Sequence, residues 1–133
     1  MWADDQASQG LGMAIEQVGP GAARLRMAIT AAMVNGHGIC HGGFIFTLAD
    51  SAFAFACNSH NARAVAAQCT INFLRPARLG QVLTAEATER GRAGRTGMTD
   101  VRVVADDGSV IAEFRGTSRV IGGALVEVAD HAG

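Results

Sequence analysis

The chain has no lysine: all 11 of its basic side chains are arginine. That pattern reflects genome composition rather than a function. The arginines are scattered, densest between Arg90 and Arg95, and the net charge is -1. No basic stripe exists that could lie along a nucleic acid. Cysteine is scarce: Cys40, Cys57 and Cys69 make an odd count without CxxC spacing, which excludes a disulfide framework and a zinc site. Reduced thiols point to the cytoplasm. Met1-Trp2-Ala3-Asp4-Asp5 is acidic where a signal peptide would be basic, so none is expected. No apolar run approaches the roughly 20 residues of a membrane span. Charged residues make up only 17% of the chain against 49% hydrophobic ones, which excludes disorder and leaves apolar surface to bury between subunits.

A length of 133 residues fits a single domain, residues 1–133. Residues 1–10 read as a short polar helix or arm, and residues 124–133 as a tail expected to fray. Met13 to Val18 and Ala23 to Thr30 read as a hairpin around Gly19-Pro20-Gly21. In the second strand Arg24 and Arg26 alternate with Leu25, Met27 and Ile29. Met33 to Gly43 carries four glycines and two histidines and reads as an ordered loop whose backbone meets something closely. Gly43 to about Ser59 is apolar almost all round and too long for a strand, so it reads as a buried helix. Four strands are expected after it: Ala64 to Leu74, Val82 to Arg90, Thr96 to Ala105 and Val110 to Ile121. Turns are expected at Gly91 to Gly94 and at Asp106-Asp107-Gly108. A helix that is apolar on every side needs a curved antiparallel sheet wrapped around it, an α+β arrangement.

Two features on the expected helix could carry chemistry. Asp50 sits among Leu48, Ala49, Ala52 and Phe53. A carboxylate so placed is costly unless it is paired, bonded to Thr47 or Ser51, set on a narrow exposed stripe, or functional. His41-Gly42-Gly43 stands at the helix start, where free N–H groups and the dipole can stabilise an oxyanion; the bland alternative is a plain loop-to-helix turn. Gly42 and Asp50 are eight residues apart, about 12 Å along one helix. Both cannot reach one carbonyl, so if both are catalytic they come from different chains, and two sites form at a dimer interface. Cys40 and Cys57 show no triad ordering, and His37 with His41 lies on a glycine-rich loop rather than at metal-ligand spacing.

The block from Asn35 to Ser59, with His41-Gly42-Gly43 followed by Leu48-Ala49-Asp50, resembles the hotdog thioesterases of the phenylacetic acid degradation type. Cys69-Thr70-Ile71-Asn72-Phe73-Leu74-Arg75-Pro76 and Phe114-Arg115-Gly116-Thr117-Ser118-Arg119 resemble the same group. The resemblance implies the hotdog fold and hydrolysis of acyl-CoA thioesters, in this subgroup ring-hydroxylated phenylacetyl-CoA. It implies Asp50 as general base or nucleophile, Gly42 as the N–H donor to the thioester carbonyl, and Asn35 and His41 as site-lining residues. Gly43 and Gln68 would border the substrate, although Gln68 stands where relatives often carry a small hydroxyl residue. Arg75, Arg92 and Arg95 are candidates for the CoA phosphates, because a guanidinium bonds phosphate bidentately. The resemblance also implies a homodimer with shared sites, assembled into a homotetramer. Coenzyme A is part of the substrate, and no separate cofactor or metal is expected. Two other activities fit the same residues. One is a dehydratase or hydratase pairing His41 with Asp50. The other is a non-catalytic acyl-CoA-binding protein, although the chain has no room for the DNA-binding segment of a regulator.

Overall fold

Alternation of apolar and polar side chains builds the sheet. In the computed structural model, which describes residues 1–122, the strands are β1 (Ala14–Gly19), β2 (Ala22–Ala28), β3 (Ala64–Phe73), β4 (Val82–Ala93), β5 (Thr96–Ala105) and β6 (Val110–Val120). The expected frayed tail, residues 124–133, lies outside the described residues. All pairings are antiparallel and the sheet order is β1-β2-β4-β5-β6-β3. The register breaks at Ile15/Gln17, Ala66/Gln68, Glu89/Gly91 and Val103/Val104. Such bulges sharpen twist and bend a sheet, so this one curves.

The hairpin of β1 and β2 forms where expected, with Gly21 at φ +68° in the turn. Leu25, Met27 and Ile29 are buried while Arg24 and Arg26 face out. One expectation needs correcting. Gly91 to Gly94 is not a turn: β4 continues to Ala93 and the reversal is at Gly94 and Arg95, before Thr96. The bulge at Glu89/Gly91 absorbs the glycine without ending the ladder, and Gly94, at φ +60°, makes the turn.

The long helix α2 spans Gly42–Cys57, after a shorter helix α1 (Gln6–Gly10) in the N-terminal arm. Ile45, Leu48, Ala49, Ala52, Phe53 and Ala56 press into the concave face of the sheet. Burying side chains the size of Ile45, Leu48 and Phe53 contributes about 1.5–3 kcal/mol each. Contact is close because the sheet offers a glycine: a Cβ on Gly116 would lie 2.6 Å from the Phe53 ring. The helix is not apolar-facing on all sides. Gly43 is exposed, and Thr47, Asp50, Ser51 and Ala54 are half-buried. The arm covers one flank of α2, where Ser8 Oγ and Ser51 Oγ are 2.8 Å apart and Trp2 meets Phe55 with ring centroids at 6.0 Å.

On the convex face a cross-strand row runs Arg24, Glu86, Arg102, Glu113 over β2, β4, β5 and β6. Its ends close as ion pairs, Arg24–Glu86 at 2.7 Å and Arg102–Glu113 at 2.6 Å. Asp100 beside it is held by Arg115 and Arg90. A polar hollow lined by Thr70, Asn72, Asp100, Glu113 and Arg115 lies on this face. Asp100 and Arg115 pair across it, and Glu113 is held by Arg102.

Candidate active site

The loop before α2 is built by its own side chains. Asn35 Oδ1 accepts from the backbone N–H groups of His37 (2.9 Å) and Ile39 (3.1 Å), which leaves its amide NH2 as the group able to donate to a ligand. Bridges Val34↔Cys40 and Ile39↔Arg78 pin the loop to the connection after β3. His41 is the N-cap of α2, and its Nδ1 accepts from the Gly43 N–H at 3.0 Å. The Gly43 N–H is therefore occupied. No acceptor among the described residues takes the Gly42 N–H, which stands at the positive end of the helix dipole.

Gly42 is roofed by Phe73. A Cβ at Gly42 would meet that ring at 3.0 Å. A cleft of about 360 Å³ opens there, with Ile39, Gly42, Ile45, Phe73, Leu74 and Pro76 in its walls. This cleft is chiefly apolar and borders a free backbone donor, the combination a thioester carbonyl with an apolar arm requires.

Asp50 lies two turns along the same helix. Phe46 and Phe53, on either side of it, both touch Phe114 of β6, with ring centroids at 5.5 and 5.7 Å. The Cys57 and Cys69 thiols both sense its negative charge. Asp50 therefore sits on the flank of α2 turned toward β6 and β3, opposite the flank held by the arm. The hydroxyls that could have neutralised it are engaged elsewhere: Thr47 Oγ1 donates to the Gly43 carbonyl, and Ser51 pairs with Ser8. Burial pushes the Asp50 carboxyl above the ordinary carboxylate range. The thiols are poor nucleophiles by the same physics. Burial raises Cys40 and Cys69, and carries Cys57 to about 11.

The other expected residues are spread out. Gln68 pairs across strands with Thr117, on the convex face, whereas Cys69 and Ile71 pack toward the helix. Within one chain Gln68 does not share a face with Asp50. Arg75 lines the cleft, and its Nη1 donates to the Val110 carbonyl at 2.9 Å. Arg92 lies 3.9 Å from Glu89, and Arg95 occupies the β4–β5 turn. Sequence reasoning missed Phe73 as the roof over Gly42. The period-two pattern of β3, in which residues 69, 71 and 73 share a face, was the signal that could have found it. Among the described residues no group of three or more His, Cys, Asp or Glu could hold a metal ion, and no helix is long and apolar enough to cross a membrane.

The thioesterase superfamily model matches residues 37–112, a span that holds the helix, the cleft and both candidate groups. This chain belongs to the thioesterase superfamily. Within that superfamily it is 46% identical over 125 residues to the acyl-coenzyme A thioesterase PaaI of Escherichia coli, covering 94% of this chain and 89% of the relative. The solved structure of the E. coli PaaI protein, from the phenylacetic acid degradation operon, matches with a TM-score of 0.91 at 46% identity, over 93% of this chain and 90% of that one. A hypothetical thioesterase protein of Streptococcus pneumoniae, solved with coenzyme A, matches with a TM-score of 0.80 at 26% identity, over 84% of this chain and 90% of that one. The superfamily's hotdog arrangement, a curved antiparallel sheet around one long helix, is the fold described above.

Proposed function

We propose that the chain hydrolyses acyl-CoA thioesters, with phenylacetyl-CoA or a ring-hydroxylated relative as the acyl class, as part of phenylacetate breakdown. One observation carries the reading: a half-buried carboxylate, Asp50, and the N–H of Gly42, which borders an apolar cleft, stand on one helix with no partner among the described residues. The Gly42 N–H would bond the thioester oxygen and stabilise the charge that develops on it. Asp50 would take a proton from water, or attack directly, in surroundings that raise its basicity. The Asn35 NH2 and the His41 imidazole would orient the water or the acyl group, with Gly43 leaving room beside them. Coenzyme A enters as part of the substrate and water is the other reactant, so the reaction takes no separate cofactor. The kinship with PaaI supports this substrate class.

About 12 Å of helix separates Gly42 from Asp50, so each site draws the two from different chains. The strand that would join the chains is β3. It ends the sheet, runs for ten residues, and exposes Val65 and Phe73. Such an edge invites a partner strand. Two β3 edges paired about a two-fold axis give a homodimer with two sites, and two dimers give a tetramer. The working place is the cytoplasm, with the three cysteines as free thiols.

The test is turnover of aryl-acetyl, benzoyl and fatty acyl-CoA followed with a thiol reagent. Stoichiometric release of free CoA is expected, fastest for the aryl-acetyl substrates. Substrate converted without thiol release would instead favour hydration, and substrate left unchanged would favour mere binding.

A further inference from the structure

Phe46 stands midway between the two candidate catalytic groups, four residues after Gly42 and four before Asp50. It is one helical turn from each and on their side of α2. Strand β3 runs along that side. Phe73 lies against Gly42 at one end, and the Cys69 thiol feels the Asp50 charge at the other. Eight helical residues rise about 12 Å and four strand residues about 13 Å, so the two rows keep step. Ile71, midway between Phe73 and Cys69, falls level with Phe46. The ladder agrees: Ile71 pairs with Phe114 of β6, and Phe46 meets the Phe114 ring edge-on at 5.5 Å. Three rings thus gather beside Asp50, with different exposures. Phe53 and Phe114 are 1% and 2% exposed and belong to the core. Phe46 is half-buried, as is Ile71, so the two present an open apolar step one turn from each catalytic group.

Distance decides which part of a substrate meets this step. A carbonyl held between Gly42 of one chain and Asp50 of another is one turn, about 5.4 Å, from Phe46 of both. Its carbon comes within about 3–3.5 Å of the attacking atom. In a phenylacetyl thioester one methylene separates that carbon from the ring, whose centre is about 4 Å away. The aryl group is thus within reach of Phe46 as soon as the carbonyl is in place, at the spacing of about 4.5–7 Å that paired rings adopt. The other arm of the substrate leaves by a different route. Coenzyme A ends in a charged nucleotide, which is costly to bury and stays in water. The cleft around the helix start lies at the surface, where Phe73 and Leu74 are 52% and 54% exposed. It gives the thiol-bearing arm its way out, and the acyl group is left with the aromatic side.

Resting on the thioesterase reading and its shared site, we propose that Phe46 is the specificity-determining residue for the acyl group: its open side, with Ile71 beside it, packs against the aryl ring and favours aryl-acetyl over straight-chain acyl-CoA. A ring laid on Phe46 gains the edge-to-face or offset-stacked contact of an aromatic pair. A flexible alkyl chain gains only burial there and loses rotamer freedom on binding.

Two measurements test this. The first compares phenylacetyl-CoA with hexanoyl-CoA in the native protein and in Phe46→Leu, which keeps apolar bulk and loses the aromatic face. The ratio of kcat/KM for the aryl over the straight-chain substrate should fall about threefold or more, the scale of an aromatic pair. A ring that only props up the core would slow both substrates alike, and an unchanged ratio overturns the proposal. The second measurement uses the native protein and needs no turnover. A thioether of coenzyme A carrying an azidophenylethyl group cannot be hydrolysed and sets a photoreactive ring where the aryl group sits. Mass-spectrometric sequencing after irradiation should find the label on Phe46 or Ile71. Label on the cleft walls at Ile39, Leu74 or Pro76, label anywhere else, or none at saturation overturns the proposal. The thioesterase reading fails separately, if the native protein releases no CoA from any thioester, and the photolabel still reports where the ring lies.

Discussion

The ring of Phe73 lies against the Cα of Gly42, so close that a methyl group there would sit 3.0 Å from the ring tip. The residue that presents the candidate oxyanion donor and the residue that roofs the cleft are fixed by one contact. Gly42→Ala should displace the ring rather than unfold the chain, because Phe73 is half exposed and can swing outward. The expected result is a loss of kcat of about tenfold or more, in line with a disturbed oxyanion donor, with a Tm within a few degrees of native. Adding Phe73→Ala should restore part of the rate by removing the clash. Steady-state kinetics and a thermal melt on both variants check this.

Asp50→Asn should lower kcat by at least about 10² with a smaller effect on substrate binding, since it removes the base or nucleophile and keeps the shape. Near-native turnover in that variant would move the chemistry elsewhere.

The same substitution makes a separate statement about stability. Burial raises the Asp50 pKa above its ordinary value of 3.8 in the folded chain. The folded state therefore holds its proton more tightly than the unfolded state does. Stability is lost as pH rises from the unfolded pKa through the folded one, and the loss stays constant above that. Asn carries no charge to desolvate. Asp50→Asn should accordingly melt higher than the native chain at neutral pH, and the gap should close as pH falls toward 3.8 and below. Melting curves of the two proteins against pH read the difference, and a gap independent of pH would contradict it.

Gly116→Ala tests the approach of helix to sheet. Its Cβ would lie 2.6 Å from Phe53, one of the most buried side chains in the core. Neither partner can yield to solvent, so overpacking should destabilise by about 1–3 kcal/mol. Denaturant unfolding should show a lower midpoint. Phe53→Leu in the same chain should recover part of the loss.

The proposal that each site is shared between two chains is open to complementation. Asp50→Asn subunits mixed with Asn35→Ala/His41→Ala subunits give dimers with one site carrying both lesions and one carrying neither. Activity should return on subunit exchange toward half of the native value per mixed dimer. Mixed dimers that form and stay inactive would mean that each chain carries its own complete site.

Much of this was legible in the residues. Period-two alternation located β2, β4 and β5 because one face of each meets the core and the other meets water. The length and near-continuous apolarity of the run from Gly43 to about Ser59 marked α2, which ends at Cys57. The signal failed at Gly91, where a glycine read as a turn is a bulge that the neighbouring strands carry through. The extra residue in the ladder at Ala66/Gln68 likewise shifts which side chains of β3 face the helix, and no pattern in the chain announces a bulge. Asp50 stood out as a charge on an apolar helix. That its neighbouring hydroxyls are committed to the Gly43 carbonyl and to Ser8 depends on the docking of the arm, a contact between residues far apart in sequence.

The position of β3 in the sheet has a consequence for synthesis. Its neighbour within the chain is β6, and their ladder joins Phe73 to Ala112 and Ala64 to Val120. At about 5–20 residues per second, a growing chain spends seconds with β3 made and no strand yet available to pair with it. During that interval both of its edges are open, and its backbone is exposed to any other nascent strand nearby. The last strand among the described residues is thus the one that closes the sheet, and the β3 edge acquires its final form only when β6 has docked.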